Sequence, residues 1–219
     1  MEMSKQIAVL GGTGALGFGL ASRFAKAGFH VCIGSRDPAR AGAKVNDIRA
    51  AVPGAEVTAA TYADAARDND IVILAVPFAS HDEILEQVAR VLPGKILIDV
   101  TAPVKPPKVF VVQLPGGRSV AEATQERLGG AVRVVSAFQN VAAAKLVEDG
   151  DVACDILVTG DDVEARKAVM ELVRAIGMRP INAGPIANAI AAEALTAVLI
   201  GVNKWHKADH AGICITGLA

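Results

Sequence analysis

After the apolar segment Gln6–Leu10 (QIAVL) the chain reads Gly11-Gly12-Thr13-Gly14-Ala15-Leu16-Gly17, and a helix-like stretch, Ala15–Ala27, follows. Gly12, Gly14 and Gly17 stand in the spacing G-x-G-x-x-G. Between a strand and a helix each glycine has a physical task. Gly12 permits a tight turn, Gly14 lets the main chain approach a pyrophosphate with no Cβ in the way, and Gly17 lets the helix pack closely on the strand. The first turn of the helix offers free N–H groups and a partial positive charge to phosphates. Gly12, Thr13, Gly14, Ala15 and Leu16 are therefore the candidate dinucleotide loop.

A second group follows the run His30–Gly34 (HVCIG). A chain that binds NAD usually carries Asp or Glu about 20 residues beyond the glycines, to accept from the ribose 2′-hydroxyl. Here the residues are Gly34-Ser35-Arg36-Asp37, followed by Arg40. A serine can donate to a 2′-phosphate and a guanidinium can clamp it bidentately, whereas a carboxylate would repel it. Asp37 dissents, but it precedes Pro38, and as a helix cap its carboxylate would turn to main-chain N–H groups. Ser35, Arg36 and Arg40 thus predict NADP(H). Val76 and Pro77, after the run Asp70–Val76, and Thr101 and Ala102, after Lys95–Val100, lie at strand ends where a ligand of an open α/β sheet sits. His81, near a helix start, reads as a partly exposed surface histidine.

The elements that must hold these residues alternate. Short β-branched runs (Gln6–Leu10, His30–Gly34, Asp70–Val76, Lys95–Val100) are separated by helix-like stretches at Ala15–Ala27, Pro38–Ala51, Tyr62–Asp68 and Ser80–Leu92. Continuous rather than alternating hydrophobicity is what strands covered on both faces require. Asp64 or Thr61 caps the short helix. The pattern predicts a Rossmann-type, doubly wound, mainly parallel α/β sheet over residues 1–136. Residues 137–219 are expected to form a smaller C-terminal helical/αβ lobe that completes the cleft. Strands are expected at Val132–Ser136, Cys154–Thr159 and Arg179–Asn182, with a helix capped by Asp161 or Asp162 and running to about Ala175. Pro103–Gly117 holds four of the ten prolines and reads as a loop over the cofactor side or a plain linker. From Pro185 comes a helix of about 20 residues, apolar almost all round, which must be buried on most sides. A second subunit would cover it, so a homodimer is expected.

Composition bounds the partners. With 22 Lys plus Arg against 23 Asp plus Glu in 219 residues, the net charge of −1 gives no reason to expect nucleic acid or an anionic membrane. Hydrophobic residues make up 52% and aromatics 4%, so the core must be aliphatic. Cys32, Cys154 and Cys214 show no CxxC and no Cys/His cluster, so neither a disulfide framework nor a metal site is expected. A reducing cytoplasm is the expected compartment. No secretory signal is read at the start. The longest strongly apolar stretch, Ala194–Val202, is short of the ~20 residues a membrane helix needs. His206 and His210 stand four apart with only Asp209 near them.

The chain resembles the F420-dependent NADP oxidoreductases. The resemblance rests on IAVLGGTGALGFGLA, GSRDPARA, AVPF, VVSAFQNVAAAKL, VTGDD and GPIANAIAAEALTAVLIGVN, and covers nearly the whole chain. Related NADPH-binding domains occur in ferric reductases of the STEAP type. The resemblance implies hydride transfer between NADP(H) and the deazaflavin F420 as co-substrate, with no protein acid or base at the reacting carbon, hence no catalytic side chain. Thr13, Ser35, Arg36 and Arg40 would grasp the cofactor, Pro77 would contact the nicotinamide, and Val141 would stand beside the rings. Phe138, Gln139, Asn140, Val141 and Glu193 are the candidate acceptor-site residues. Where relatives commonly carry histidine this chain has Gln139, which cannot hold a positive charge beside an anionic reduced ring. A pterin or flavin acceptor therefore stays open, as does a non-catalytic NADPH sensor. Gln139 and Asn140 could equally cap the next helix, and Glu193 could face a subunit, cap a buried network or line the cleft. A 3-hydroxyacid-type dehydrogenase is discounted, because the length leaves no room for its helical domain.

Overall fold

A computed structural model describes residues 6–148 and 150–218. The apolar runs become the middle of one sheet. β1 (Gln6–Leu10), β2 (His30–Gly34), β4 (Ile71–Leu74), β5 (Ile96–Asp99) and β6 (Arg133–Ser136) run parallel, with β3 (Val57–Ala60) beside β2. The sheet order is β3-β2-β1-β4-β5-β6-β7-β8. Every residue of β4 and β5 is buried, as strands covered by helices on both faces must be. Each fully buried Ile, Leu or Val there contributes about 1.5–3 kcal/mol of hydrophobic stabilisation.

The connecting helices divide between the faces. α1 (Ala15–Lys26), α2 (Pro38–Ala51), α6 (Ala143–Val147) and α7 (Val163–Ala175) pack into one core. α3 (Tyr62–Arg67), α4 (Phe78–Val88), α5 (Val120–Leu128) and the start of α8 (Ala189–His206) pack into the other. Caps follow the local sequence. Asp37 accepts from the Ala39 and Arg40 N–H groups, Thr61 from Asp64 N–H, and Asp162 from Ala165 N–H.

Beyond β6 the chain keeps to the same sheet. β7 (Asp155–Gly160) lies antiparallel to β6, and β8 (Arg179–Gly184) is parallel to β7. The segment 137–219 is thus built onto the edge of the sheet formed by 1–136. Two elements escaped the sequence reading. β3 is an edge strand of Val, Thr and two alanines with no apolar run to mark it. α5 is announced only by a capping box, Ser119 and Glu122, whose serine accepts from the Glu122 N–H at 3.0 Å. Between Ala102 and Arg118 the chain is irregular apart from a short turn at Pro115–Gly117, and its Phe110 packs edge-on to Trp205 of α8.

The last helix is longer than the run Ala194–Val202. Ile186–His206, with a mean hydropathy of 1.6, is long and apolar enough by length and composition to cross a membrane. In this fold one narrow face of it, Ala189, Ala192, Glu193, Ala197 and Gly201, is buried, against α5 and β7. Val198 and Trp205 are exposed, the Trp205 ring lying over Gly201.

Candidate functional site

The chain leaves β1 at the switch point, where β1 is flanked by β2 on one side and β4 on the other. The sharp turn falls on Gly11, not on Gly12 as the motif suggested. Gly11 has φ +84°, and a Cβ there would lie 2.3 Å from the Ala75 carbonyl oxygen. Gly12 is instead required by packing, since its Cβ would meet the Ile33 side chain at 2.9 Å. Gly17 does what its place in the motif asks: a Cβ would lie 2.5 Å from Gly11 O, so only glycine lets α1 sit this close to the loop. Gly14 is exposed, and the nearest atom to a Cβ on it is Gly11 O at 3.4 Å, so its outer side is open to an approaching group. Gly14 is also the cap residue of α1, and among the described residues no side-chain cap hydrogen bond closes this helix end. Thr13 and Leu16 are half-buried and Ala15 is exposed.

At the end of β2, Ser35 is buried and its Oγ accepts from Asp37 N–H at 3.1 Å. Arg36 and Arg40 are exposed and, among the described residues, neither has an acidic partner. Asp37 carries the nearest carboxylate in sequence, and its Oδ1 is committed to the α2 N-terminus at 3.0 and 3.1 Å. The result is a pair of uncompensated guanidinium groups one strand away from the bare end of α1. Val76 is buried, with Pro77 exposed as the cap residue of α4. Thr101 is buried, Ala102 half-buried.

The segment after β6 differs more from its sequence reading. Phe138 is fully buried with φ +71°, and Val141 is also buried. Gln139 is buried: its amide nitrogen donates to Asp99 O and Ser136 Oγ, both at 2.8 Å, and Oε1 has no hydrogen-bond partner among the described residues. Asn140 donates to Asp155 O at 2.6 Å. Neither caps the following helix, because α6 begins after Ala142 and carries no side-chain cap. Glu193 takes the capping role among its three readings. Its two oxygens accept from Val120 and Ala121 N–H at 2.7 and 3.0 Å, closing the N-terminus of α5. Burial pushes its pKa up to about 7 despite those two hydrogen bonds.

His81 is the main correction. It is 2% exposed rather than on the surface, and its Nε2 lies 2.8 Å from Asp99 Oδ2. Nothing local marks it, because the partner carboxylate is eighteen residues away at the end of another strand. Among the described residues no group of three or more His, Cys, Asp or Glu could hold a metal ion.

A glycine-turned first strand, a bare helix end at the switch point and free cations after β2 define a dinucleotide-dependent oxidoreductase of the doubly wound class. More narrowly, the chain belongs to the F420-dependent NADP oxidoreductase family and is an NADP-dependent oxidoreductase. Residues 6–103 match the family described as NADP oxidoreductase, coenzyme F420-dependent. Over 225 residues the chain is 38% identical to the F420-dependent NADP reductase of Methanocaldococcus jannaschii, covering 97% of this chain and 99% of that one. It is 33% identical over 198 residues to the rat metalloreductase STEAP3, covering 89% of this chain but 37% of that one. A crystal structure of a putative F420-dependent NADP reductase from Arthrobacter sp. FB24 superposes with a TM-score of 0.79 at 30% identity, covering 94% of this chain and 95% of that one.

Proposed function

We propose that the chain transfers hydride between NADP(H) and the deazaflavin F420, on which its relatives' names say they depend. The observation that carries the cofactor half is the pair Arg36 and Arg40, without acidic partners among the described residues, beside Ser35 at the end of the strand next to the glycine loop. The residues present fit a phosphorylated dinucleotide. Free N–H groups of α1 take the pyrophosphate, while Ser35, Arg36 and Arg40 take the 2′-phosphate. Val76, Pro77, Thr101 and Ala102 then form the apolar and polar rim against the nicotinamide, with Val141 behind it.

The bound nicotinamide supplies the hydride. The work left to the chain is to hold two flat rings face to face with donor and acceptor carbons about 3–3.5 Å apart. That transfer needs no proton at the reacting carbon, so no side chain is assigned a catalytic role. The Gln139 amide is spent on Asp99 and Ser136, which supports a wall-forming part for it. Lacking the charge of a histidine, Gln139 favours a second reading in which a flavin or pterin takes the hydride, or none does and the chain senses NADPH.

Exposed Val198 and Trp205 on α8, and Val111 and Val112 in the segment whose Phe110 meets Trp205, support a homodimer whose second copy covers this apolar surface. Free thiols at Cys32, Cys154 and Cys214 suit a reducing cytoplasm. The test has two parts. Titration with NADPH and NADH reads the cofactor, and near-equal affinity refutes the Ser35/Arg36/Arg40 assignment. Mixing NADPH with oxidised F420, flavins and pterins while following absorbance reads the acceptor. Tight NADPH binding with no turnover on any of them favours the sensor.

A further inference from the structure

Behind the nicotinamide side of the crevice one buried acidic residue ties together four segments of chain, three by its carboxylate and one by its main-chain carbonyl. Asp99, at the end of β5, accepts with Oδ1 from the Thr101 N–H at 3.0 Å. Its Oδ2 accepts from Thr124 Oγ1 of α5 at 3.1 Å and faces His81 Nε2 of α4 at 2.8 Å. The Asp99 carbonyl accepts from Gln139 Nε2 at 2.8 Å. The turn after β5 is thus held to the Asp99 carboxylate through the Thr101 N–H, and the Gln139 amide to the main chain of the same residue.

That anion is buried and needs a cation. Burial by itself favours a neutral imidazole on His81, but the Asp99 charge and hydrogen bond, aided by Asp82, push its pKa up to about 9. At neutral pH the pair is therefore imidazolium and carboxylate, with Asp99 held below its ordinary range by the same contact, against its own desolvation. The other charged groups around it are accounted for. Asp82 of α4 lies 3.2 Å from Nδ1 and also 3.8 Å from Arg127 of α5. Arg118, before α5, is paired with Glu126, and Glu193 of α8 sits at the α5 N-terminus. A cleft of about 510 Å³ between α4 and α5, lined by His81, Asp82 and Thr124, gives the imidazole a path for proton exchange.

We propose that His81 is a positioning residue for the nicotinamide end of the cofactor: by clamping the Asp99 carboxylate it sets the Thr101–Ala102 turn and the Gln139 amide against which the ring packs. The inference rests on the NADP(H) reading above. Loss of the His81 proton removes the positive charge facing the Asp99 carboxylate and, if Nε2 keeps its hydrogen, turns the Nδ1 lone pair toward Asp82, so the clamp loosens as pH rises.

The experiment compares NADPH with 2′-phospho-ADP-ribose, which keeps both phosphate contacts and lacks the nicotinamide. His81→Gln weakens NADPH about tenfold near neutral pH, and leaves 2′-phospho-ADP-ribose within about twofold. In the wild type the ratio of the two affinities falls as pH passes through about 9, and in His81→Gln it stays flat. Thr124→Val, which removes a neutral donor from the same oxygen, gives the same selective loss at smaller amplitude should His81→Gln fail to fold. Equal weakening of both ligands, or a wild-type ratio independent of pH, overturns the proposal. If the wild type binds 2′-phospho-ADP-ribose no better than ADP-ribose, the cofactor reading fails first and the inference falls with it.

Discussion

The buried His81–Asp99 pair makes stability depend on pH in a way that can be worked through. The perturbation is deprotonation of His81, reached either by raising the pH or by His81→Gln. The folded-state pKa of about 9 lies above the ordinary 6.5, so between these values the folded chain binds more protons than the unfolded one. The contribution is fully present below pH 6.5 and is lost as pH rises through about 9. The rise from 6.5 to about 9, at 1.36 kcal/mol per unit, corresponds to about 3 kcal/mol. The imidazole is 2% exposed, so solvent screens little of this. Urea unfolding of wild type and His81→Gln at about pH 6 and about pH 9.5 measures it. The gap between the two proteins shrinks by about 3 kcal/mol over that interval, almost all of it through loss of wild-type stability. A gap that is the same at both pH values refutes the claim that His81 is charged in the fold, and the pair would then be a neutral hydrogen bond.

Glu193 makes a separate window. Its pKa is raised from 4.5 to about 7 by burial, so ionising it in the folded state costs stability that falls away between those values, and Glu193→Gln removes that slope in the same unfolding experiment. Arg36→Ala weakens NADPH by about 1–3 kcal/mol and barely changes NADH, read by titration of both, since the lost contact is a charge-assisted bond to the extra phosphate. Gly17→Ala drives a methyl into Gly11 O at 2.5 Å and into the loop main chain, so both the melting temperature and dinucleotide affinity fall. Arg23 is buried and donates to the main-chain carbonyls of Lys145, Leu146, Glu148, Gly150 and Ile176. Arg23→Met leaves those carbonyls unpaired and costs about 3 kcal/mol or more, seen as lowered urea stability and faster proteolysis near residues 145–150.

The glycine spacing, the β-branched runs and the cap at Asp37 were readable along the chain, and Thr61 and Asp162 each as one of two neighbouring candidates, because each is set by residues within a turn or a strand. So was the missing acid after β2: Ser35, Arg36 and Arg40 take their meaning from place in the motif, and Asp37 is spent locally on its own helix. Even the misplaced turn, Gly11 for Gly12, is off by one residue within a loop that does join β1 to α1. What tertiary structure alone decided is where separated polar groups meet. Asp99 and His81 are 18 residues apart, Asp99 and Thr124 are 25 apart, and Glu193 reaches the α5 N-terminus across more than 70. A side chain's partner across such distances is chosen by how helices pack on a sheet. Nothing in the residues beside His81, Gln139 or Glu193 records whether each will face water, a ligand or a buried charge.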